Sequence, residues 1–456
     1  MRFASSSLRR LQRPVFATLL LLLVAACATP TAPAPVPPET AAPDPWWQAF
    51  GHAPLSAFVA AADAHSPLQA AALARVRQAE AQRRIARAGA WPSVTATLQS
   101  SREGRLGGQA DVDGTAHGLR LGVAYTADLW GVQRAQQDRA EASLRASRFD
   151  REATRLAVQA GAAHDWLAAA ALSERVALGE RSLADAQRLL QLVEARARAG
   201  AATPLALAQQ RGIVAAQRRT LAGLQQQAGA ARLALRRWTP DDAPAVPLGL
   251  PERLAPALPA ALPADLLQRR PDVGRAEARL AAADADVDAA RAAMYPNLTL
   301  SAALGSGGAR LARLFDQPFY SLAAALAAPI FDGGQRRATH ALTQAQREEL
   351  LADYRGAIVD ALVDAQTALD AIATLDAQRS AQADELAQAE RALRLAESRY
   401  RAGAETLLTL LDAQRTHFAA QDAQAELTRA RLQAAVALHQ ALGGDVPGRS
   451  AGAAAP

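Results

Sequence analysis

Between Pro271 and Met294 the apolar positions Val273, Leu280, Val287 and Met294 recur every seven residues, with Ala276, Ala283 and Ala290 three positions later. A seven-residue period is the signature of helices packed side by side, and the alanines beside the seam let neighbouring helices approach closely. Pro271 stands where the first turn of a helix tolerates proline. The stretches from about Gln133 to Ala199 and from about Gln335 to Ala402 contain no proline and few glycines, so each predicts one helix of more than 60 residues. At 1.5 Å per residue that is roughly 100 Å, whereas a core of ordinary size is crossed in about 30 Å.

Ahead of each long helix the period changes to two. Ser93-Val94-Thr95-Ala96-Thr97-Leu98-Gln99 alternates small polar with apolar residues, and Asn297-Leu298-Thr299-Leu300-Ser301-Ala302-Ala303-Leu304 does so nearly as well. Partner strands follow at Leu119–Tyr125 and Phe319–Leu326. With one apolar face and roughly the 9 to 11 residues a membrane strand needs, each pair predicts one hairpin of a transmembrane barrel. The smallest such barrels have about eight strands, so four cannot close alone and their open edges force oligomerisation.

The two hairpins belong to a duplication. At a shift of about 204 residues, Pro67 and Pro92 answer Pro271 and Pro296, and Trp91-Pro92 answers Tyr295-Pro296. Leu129–Arg134 answers Ile330–Arg336, and Ala197–Thr203 answers Tyr400–Thr406. Low-complexity alanine sequence aligns with itself by accident, but prolines, glycines and aromatics in one order do not. Each half therefore reads as helix, strand, strand, long helix, turn, helix. Gly200 and Gly403 each stop a long helix, and Thr203 and Thr406 cap the next, which makes each a helical hairpin's turn.

Composition adds an address. Residues 1–27 pass from an arginine-bearing stretch through an apolar run, Val15 to Leu23, to Val24-Ala25-Ala26-Cys27, which reads as a secretory signal too short to be a spanning helix. Cys27 is the only cysteine and follows small residues in the pattern of a bacterial lipobox. That predicts covalent diacylglycerol and an N-acyl chain on Cys27, and excludes a disulfide within the chain. Prolines clustered from Pro30 to Pro45 predict an extended tether. The formal charge is +6, but four arginines precede Cys27 and no acid does, which leaves +2 for the remainder and no argument for nucleic acid. Aromatics are 4% of the chain, so packing is expected to come mostly from small side chains on helices rather than from a ring-filled core.

Little points to catalysis. No histidine lies three or four residues from another, as a helical metal site would need, and no metal or other cofactor is expected. His164-Asp165, inside a long helix, reads as a surface pair. Gly305-Ser306-Gly307-Gly308 lacks the Lys and Ser/Thr of a phosphate loop and reads as part of a hairpin. The alternative to a channel is a coiled-coil outer membrane lipoprotein scaffold without a pore, which accounts for the lipid and the helices but not for the alternating hairpins or the duplicated order.

Several segments carry a resemblance: Leu262–Val273 with its Arg269-Arg270-Pro271-Asp272 centre, Ala292–Pro296, Pro329–Gly334, Arg399-Tyr400-Arg401-Ala402-Gly403, Leu410–Arg415, Ala441-Leu442-Gly443-Gly444, and Trp46–Phe50 near the start. The chain resembles the TolC-like outer membrane factors, and most closely the lipoprotein branch that works with resistance-nodulation-division pumps. The resemblance implies a mainly α protein with a membrane β-barrel: a homotrimer with a 12-stranded barrel, held in outer membrane lipid, above a long helical coiled-coil tunnel. It implies a periplasmic adaptor (membrane fusion) protein and an inner-membrane pump as partners, and small molecules as cargo. Ala28 after the cysteine resembles sorting to the outer membrane.

On this reading residues 1–26 are the signal, 27–66 the lipidated tether and the start of the equatorial region, 67–240 the first repeat, 241–270 an equatorial linker, 271–442 the second repeat and 443–456 a tail. The turns at Gly200, Ala201 and Thr203 and at Gly403, Ala404 and Thr406 would meet the adaptor. The positions matching Arg399, Leu408 and Asp412 belong in the family to the constriction of the periplasmic end. Leu408 and Asp412 lie four residues apart on one helix face. The first half has Ala208 or Gln209 where the acid stands, so a trimer would present three such aspartates, which repel one another and favour cations, beside three leucines that resist wetting. Thr409 replaces a second acid carried by some relatives, so the charged ring would be single. The competing role for Asp412 is an ion pair between helices, with Arg399 or Arg415.

Overall fold

The computed structural model describes residues 45–104, 106–107, 114–239, 250–251 and 266–444. Cys27, the signal and most of the tether, linker and tail lie outside these residues. After a 3-10 turn at Trp46–Phe50, the chain forms α1 (Ala53–His65) and α2 (Pro67–Ala88), then β1 (Ser93–Glu103), β2 (Gly114–Ala127), α3 (Val132–Arg198) and α4 (Pro204–Leu235). A single helical turn at Leu266–Arg269 leads to α5 (Pro271–Ala292), β3 (Asn297–Gly308), β4 (Gln317–Ala327), α6 (Gln335–Arg401) and α7 (Leu407–Ala441). The order expected of each half is the order found. Both long helices, α3 and α6, have 67 residues. They start alike: Asp128 accepts from the Gln133 and Arg134 amides at 3.1 and 3.0 Å, and Asp332 from the Gly334 and Arg336 amides at 3.0 and 3.3 Å. Each carboxylate thus supplies an acceptor to donors that no helical carbonyl can reach.

The strands make one antiparallel sheet in chain order, β1-β2-β3-β4, so the two hairpins lie side by side and, among the described residues, no strand pairs with the outer edge of β1 or of β4. The register places Ala96, Leu121, Leu304 and Tyr320 in one rung, and Val94, Val123, Ala302 and Leu322 in another. Alternation therefore gathers nearly all the large apolar side chains on one face. The opposite face carries Thr95, Gly122, Ala303 and Ser321 in a rung, and Ser93, Ala124, Ser301 and Ala323 in another. Tyr320 and Leu322 are each 76% exposed, which no water-facing sheet would favour at this density. Among the described residues no helix is long and apolar enough to cross a membrane.

The main core sits halfway along α3, where Ala160 to Ala170 meet α1, the end of α4 and α7. Alanine is the commonest residue of this core, as composition predicts, and a group of rings drawn from separate segments joins it. Trp46, Trp47, Phe50, Phe58 and Trp166 are all buried in it. Trp46 stacks on His439 at 5.2 Å and donates from Nε1 to Gln159, 3.3 Å away. His164-Asp165 is no surface pair. Trp238, just past α4, donates to Asp165 at 2.7 Å, and burial holds the His164 imidazole below its usual pKa. The α5 seam buries Val273, Val287 and Ala283 as read, and Ala278, Ala285 and Ala292 are buried besides, because α5 packs against both α3 and α6 rather than against one partner.

The Arg269-Arg270-Pro271-Asp272 segment has a physical purpose in this frame. The buried Arg270 guanidinium grips Asp272 at 3.0 and 2.6 Å, reaches Asp364 of α6 at 3.0 Å, and donates to the Ala361 and Ala441 carbonyls at 3.4 and 3.3 Å. One side chain ties the entry of α5 to the middle of α6 and the end of α7. Gly443 follows with φ of 80°, and a Cβ there would lie 2.7 Å from the Arg269 carbonyl oxygen, so only glycine lets the chain end turn over this joint.

Candidate gate and duct

The far ends of the long helices close in the same way. At the end of α3 the Gly200 amide donates to the Ala197 carbonyl (3.0 Å) and the Ala201 amide to Arg196 (2.8 Å); at the end of α6 Gly403 donates to Tyr400 (3.1 Å) and Ala404 to Arg399 (2.9 Å). Both are Schellman motifs, and they need the left-handed backbone that Gly200 (φ 73°) and Gly403 (φ 75°) adopt. Thr203 Oγ1 then accepts from the Ala206 amide at 3.1 Å, and Thr406 Oγ1 from Thr409 at 3.3 Å. The six tip residues read from the sequence are thus two equivalent turns offset by 203 residues. That offset makes Gln209, not Ala208, the counterpart of Asp412, and pairs Leu205 with Leu408.

A buried cluster locks the two hairpins together: Leu189 and Val193 of α3, Ala396 and Tyr400 of α6, and Leu407, Leu410 and Leu411 of α7. Across it Arg196 lies 4.5 Å over the Tyr400 ring and donates to the Tyr400 and Arg401 carbonyls at 3.2 and 3.4 Å. A cation at a helix C-terminus complements both the free carbonyls and the macrodipole. The counterpart of Arg196 in the second half is Arg399, which turns instead to Glu405 at 3.4 Å. Glu405 also accepts from the Thr406 amide and the Thr409 hydroxyl, both at 3.1 Å, and these bonds hold its carboxyl below the usual carboxylate range. Arg196, Tyr400 and Glu405 were given no role at the site from the sequence, although Tyr400 is a rare ring in a chain of few aromatics and its counterpart is only Ala197.

Leu408 is 65% exposed, as is Asp412 beside it at 62%. Asp412 does pair with an arginine, but with Arg415 of its own helix at 2.6 Å rather than across helices. The structure therefore keeps Leu408 and Asp412 on one open face and sends Arg399 to a different acid. Both members of the Asp412–Arg415 pair are largely solvated, so the pair itself contributes little.

A four-stranded sheet with one apolar face, 67-residue helices and duplicated tips are a specific combination. The sequence pattern described as outer membrane efflux protein matches residues 59–239 and again 262–444, one stretch in each half. The chain belongs to the outer membrane efflux protein family. The efflux protein is 43% identical to the pyoverdine export outer membrane protein OpmQ of Pseudomonas aeruginosa, over 93% of this chain and 95% of that protein. It is 42% identical to OpmQ of Pseudomonas putida, over 93% and 96%. Its structure is similar to that of the open state of the Neisseria gonorrhoeae MtrE outer membrane channel, at 26% identity, with 91% and 95% of the chains covered and a TM-score of 0.80. The resemblance to TolC-like outer membrane factors thus holds, and fold and family together make the efflux protein a channel of the outer membrane that reaches into the periplasm. The family is one of transport proteins, and among the described residues no group of three or more His, Cys, Asp or Glu could hold a metal ion.

Proposed function

We propose that three copies of the chain enclose one duct, each giving four strands to a 12-stranded outer membrane barrel and its long helices, with the medium ones packed on them, to a periplasmic tunnel. The duct passively conducts small molecules passed on by an inner-membrane pump of the resistance-nodulation-division type through a periplasmic adaptor. The observation that carries this reading is the sheet: apolar on one face, small and polar on the other, with no strand paired to either edge among the described residues, and joined directly to helices roughly 100 Å long. Leu342, Val359, Leu362 and Val363 on α6, each more than 40% exposed, are apolar positions that neighbouring copies would cover.

Diacylglycerol and an N-acyl chain on Cys27 would add a second hold on the membrane to that of the barrel. The turns at Gly200, Ala201 and Thr203 and at Gly403, Ala404 and Thr406 would present six similar tips to the adaptor. Asp412 and Leu408, with Arg399 nearby, would line the constriction at that end, where rings of charge and of apolar side chains govern passage. Planar-bilayer recording on the purified protein tests the reading, since a closed barrel gives discrete conductance steps and a lipoprotein scaffold gives none. A solution mass other than that of a trimer would reject the assembly.

A further inference from the structure

The small-residue face of the sheet is interrupted at one level. Thr97 pairs with Arg120, Arg120 with Gly305, and Gly305 with Phe319, so the four residues form a single rung, and Arg120 and Phe319 are the two bulkiest side chains among the described residues of that face. They stand on either side of Gly305. A Cβ on Gly305 would come within 2.5 Å of the Phe319 Cζ, so the ring lies over the glycine, toward Arg120, in space a larger residue would fill. Arg120 itself is exposed. The rung is four residues from Ser93, about 13 Å along the strand at ~3.3 Å per residue, and so lies inside the sheet rather than at its rim. The one other charged described residue of this face, Glu103, is six residues further on, roughly 20 Å away.

From this rung we infer that the barrel carries an anion-selecting girdle, in which Arg120 draws small organic anions into the duct and Phe319 offers their flat apolar parts a surface. The inference rests on the trimeric duct proposed above. Twelve strands ~4.8 Å apart and tilted ~40° enclose a backbone radius of about 12 Å. The Debye length is ~10 Å at 0.1 M salt and ~3 Å at 1 M. Three arginines at one level therefore bias the whole cross-section at low salt, while Glu103 is two screening lengths away and cannot cancel them. A guanidinium stays charged throughout the working pH range, so the bias does not titrate.

The test places a cysteine on the rung, Thr97→Cys, in otherwise intact protein and measures its reaction with anionic and cationic water-soluble thiol reagents of equal size, added from outside at 0.1 M salt. The unsubstituted chain is the control for Cys27, and Leu98→Cys reports the opposite face. We expect Thr97→Cys to react and Leu98→Cys to be silent, with the anionic reagent favoured. Adding Arg120→Gln should lower the anion-to-cation rate ratio by roughly threefold or more, Arg120→Glu should invert it, and 1 M salt should abolish the difference. A ratio unchanged by Arg120→Gln overturns the girdle while leaving the duct standing. Reaction at Leu98→Cys but not at Thr97→Cys reverses the faces and overturns it too. Absence of conductance steps in the bilayer is instead the failure of the duct itself.

Discussion

Replacing Arg270 by methionine should show how much of the fold hangs on the joint between the repeats. The guanidinium is 9% exposed and serves two carboxylates and two carbonyls; its loss leaves Asp272, 31% exposed, as a half-buried charge without its fork, and takes one donor each from the Ala361 and Ala441 carbonyls. Breaking a buried pair costs ~3–5 kcal/mol, and because Asp364 is 56% exposed and regains water, the low end, about 3 kcal/mol, applies. At ~2.1 cal/mol/K per residue over roughly 400 residues, a cooperative unit of this size loses about 4 °C in Tm. Arg270→Lys should recover part of this, since an ammonium keeps the charge but not the planar fork. The pH dependence has a definite sign. Although burial opposes it, Arg270 holds the Asp272 carboxyl below its usual pKa, so its contribution is complete above the ordinary aspartate range and is lost as pH falls through the lowered value. Thermal unfolding of the detergent-solubilised protein, followed by circular dichroism at pH 7 and again near pH 3, reads both effects. An Arg270→Met protein melting within 1 °C of wild type at pH 7 would refute the reasoning.

His439 is pushed down to about 4 by burial against Trp46 and Phe50, so stability should fall as pH drops from about 6.5 toward 4, and His439→Gln should flatten that slope in denaturant titrations. At the proposed gate, single-channel recordings should show larger conductance for both Asp412→Ala and Leu408→Ala, with weaker inhibition by divalent cations for Asp412→Ala alone; two mutants indistinguishable from wild type would move the constriction elsewhere. Ala201→Trp and Ala404→Trp should reduce efflux in cells by weakening contact with the adaptor while trimers persist on native gels, and unchanged efflux in both would contradict the tip assignment. Cys27→Ser should stop incorporation of labelled fatty acid, and normal labelling would sink the lipobox reading.

Much of the architecture was legible because it is periodic. Proline and glycine terminate helices for local steric reasons, so Pro67, Pro271, Gly200 and Gly403 mark boundaries wherever the chain folds, and alternation fixes which strand residues share a face before any partner is known. The duplication was legible for the same reason, since it repeats that punctuation. The turn residues Thr203 and Thr406 act within a few positions of themselves, and their capping bonds are the ones their spacing predicts.

Contacts between distant segments were not legible in this way. That Arg196 embraces Tyr400 while its repeat counterpart Arg399 turns to Glu405 depends on which helix ends lie side by side, and no local rule contains that choice. Composition alone set the expectation of a small-residue interior; only tertiary structure could place Trp46, Phe58, Trp166 and His439 in one cluster, because they come from separate segments. The level shared by Arg120, Gly305 and Phe319 is of the same kind. Alternation assigned each residue a face, but the rung exists only because β2, β3 and β4 pair in one register, and a slip of one residue would have put the arginine on the apolar side. Sequence by itself thus determined the elements, their faces and their ends, where the governing forces act over a few residues; the tertiary structure decided which charges, rings and glycines meet, where the partners are tens to hundreds of residues apart.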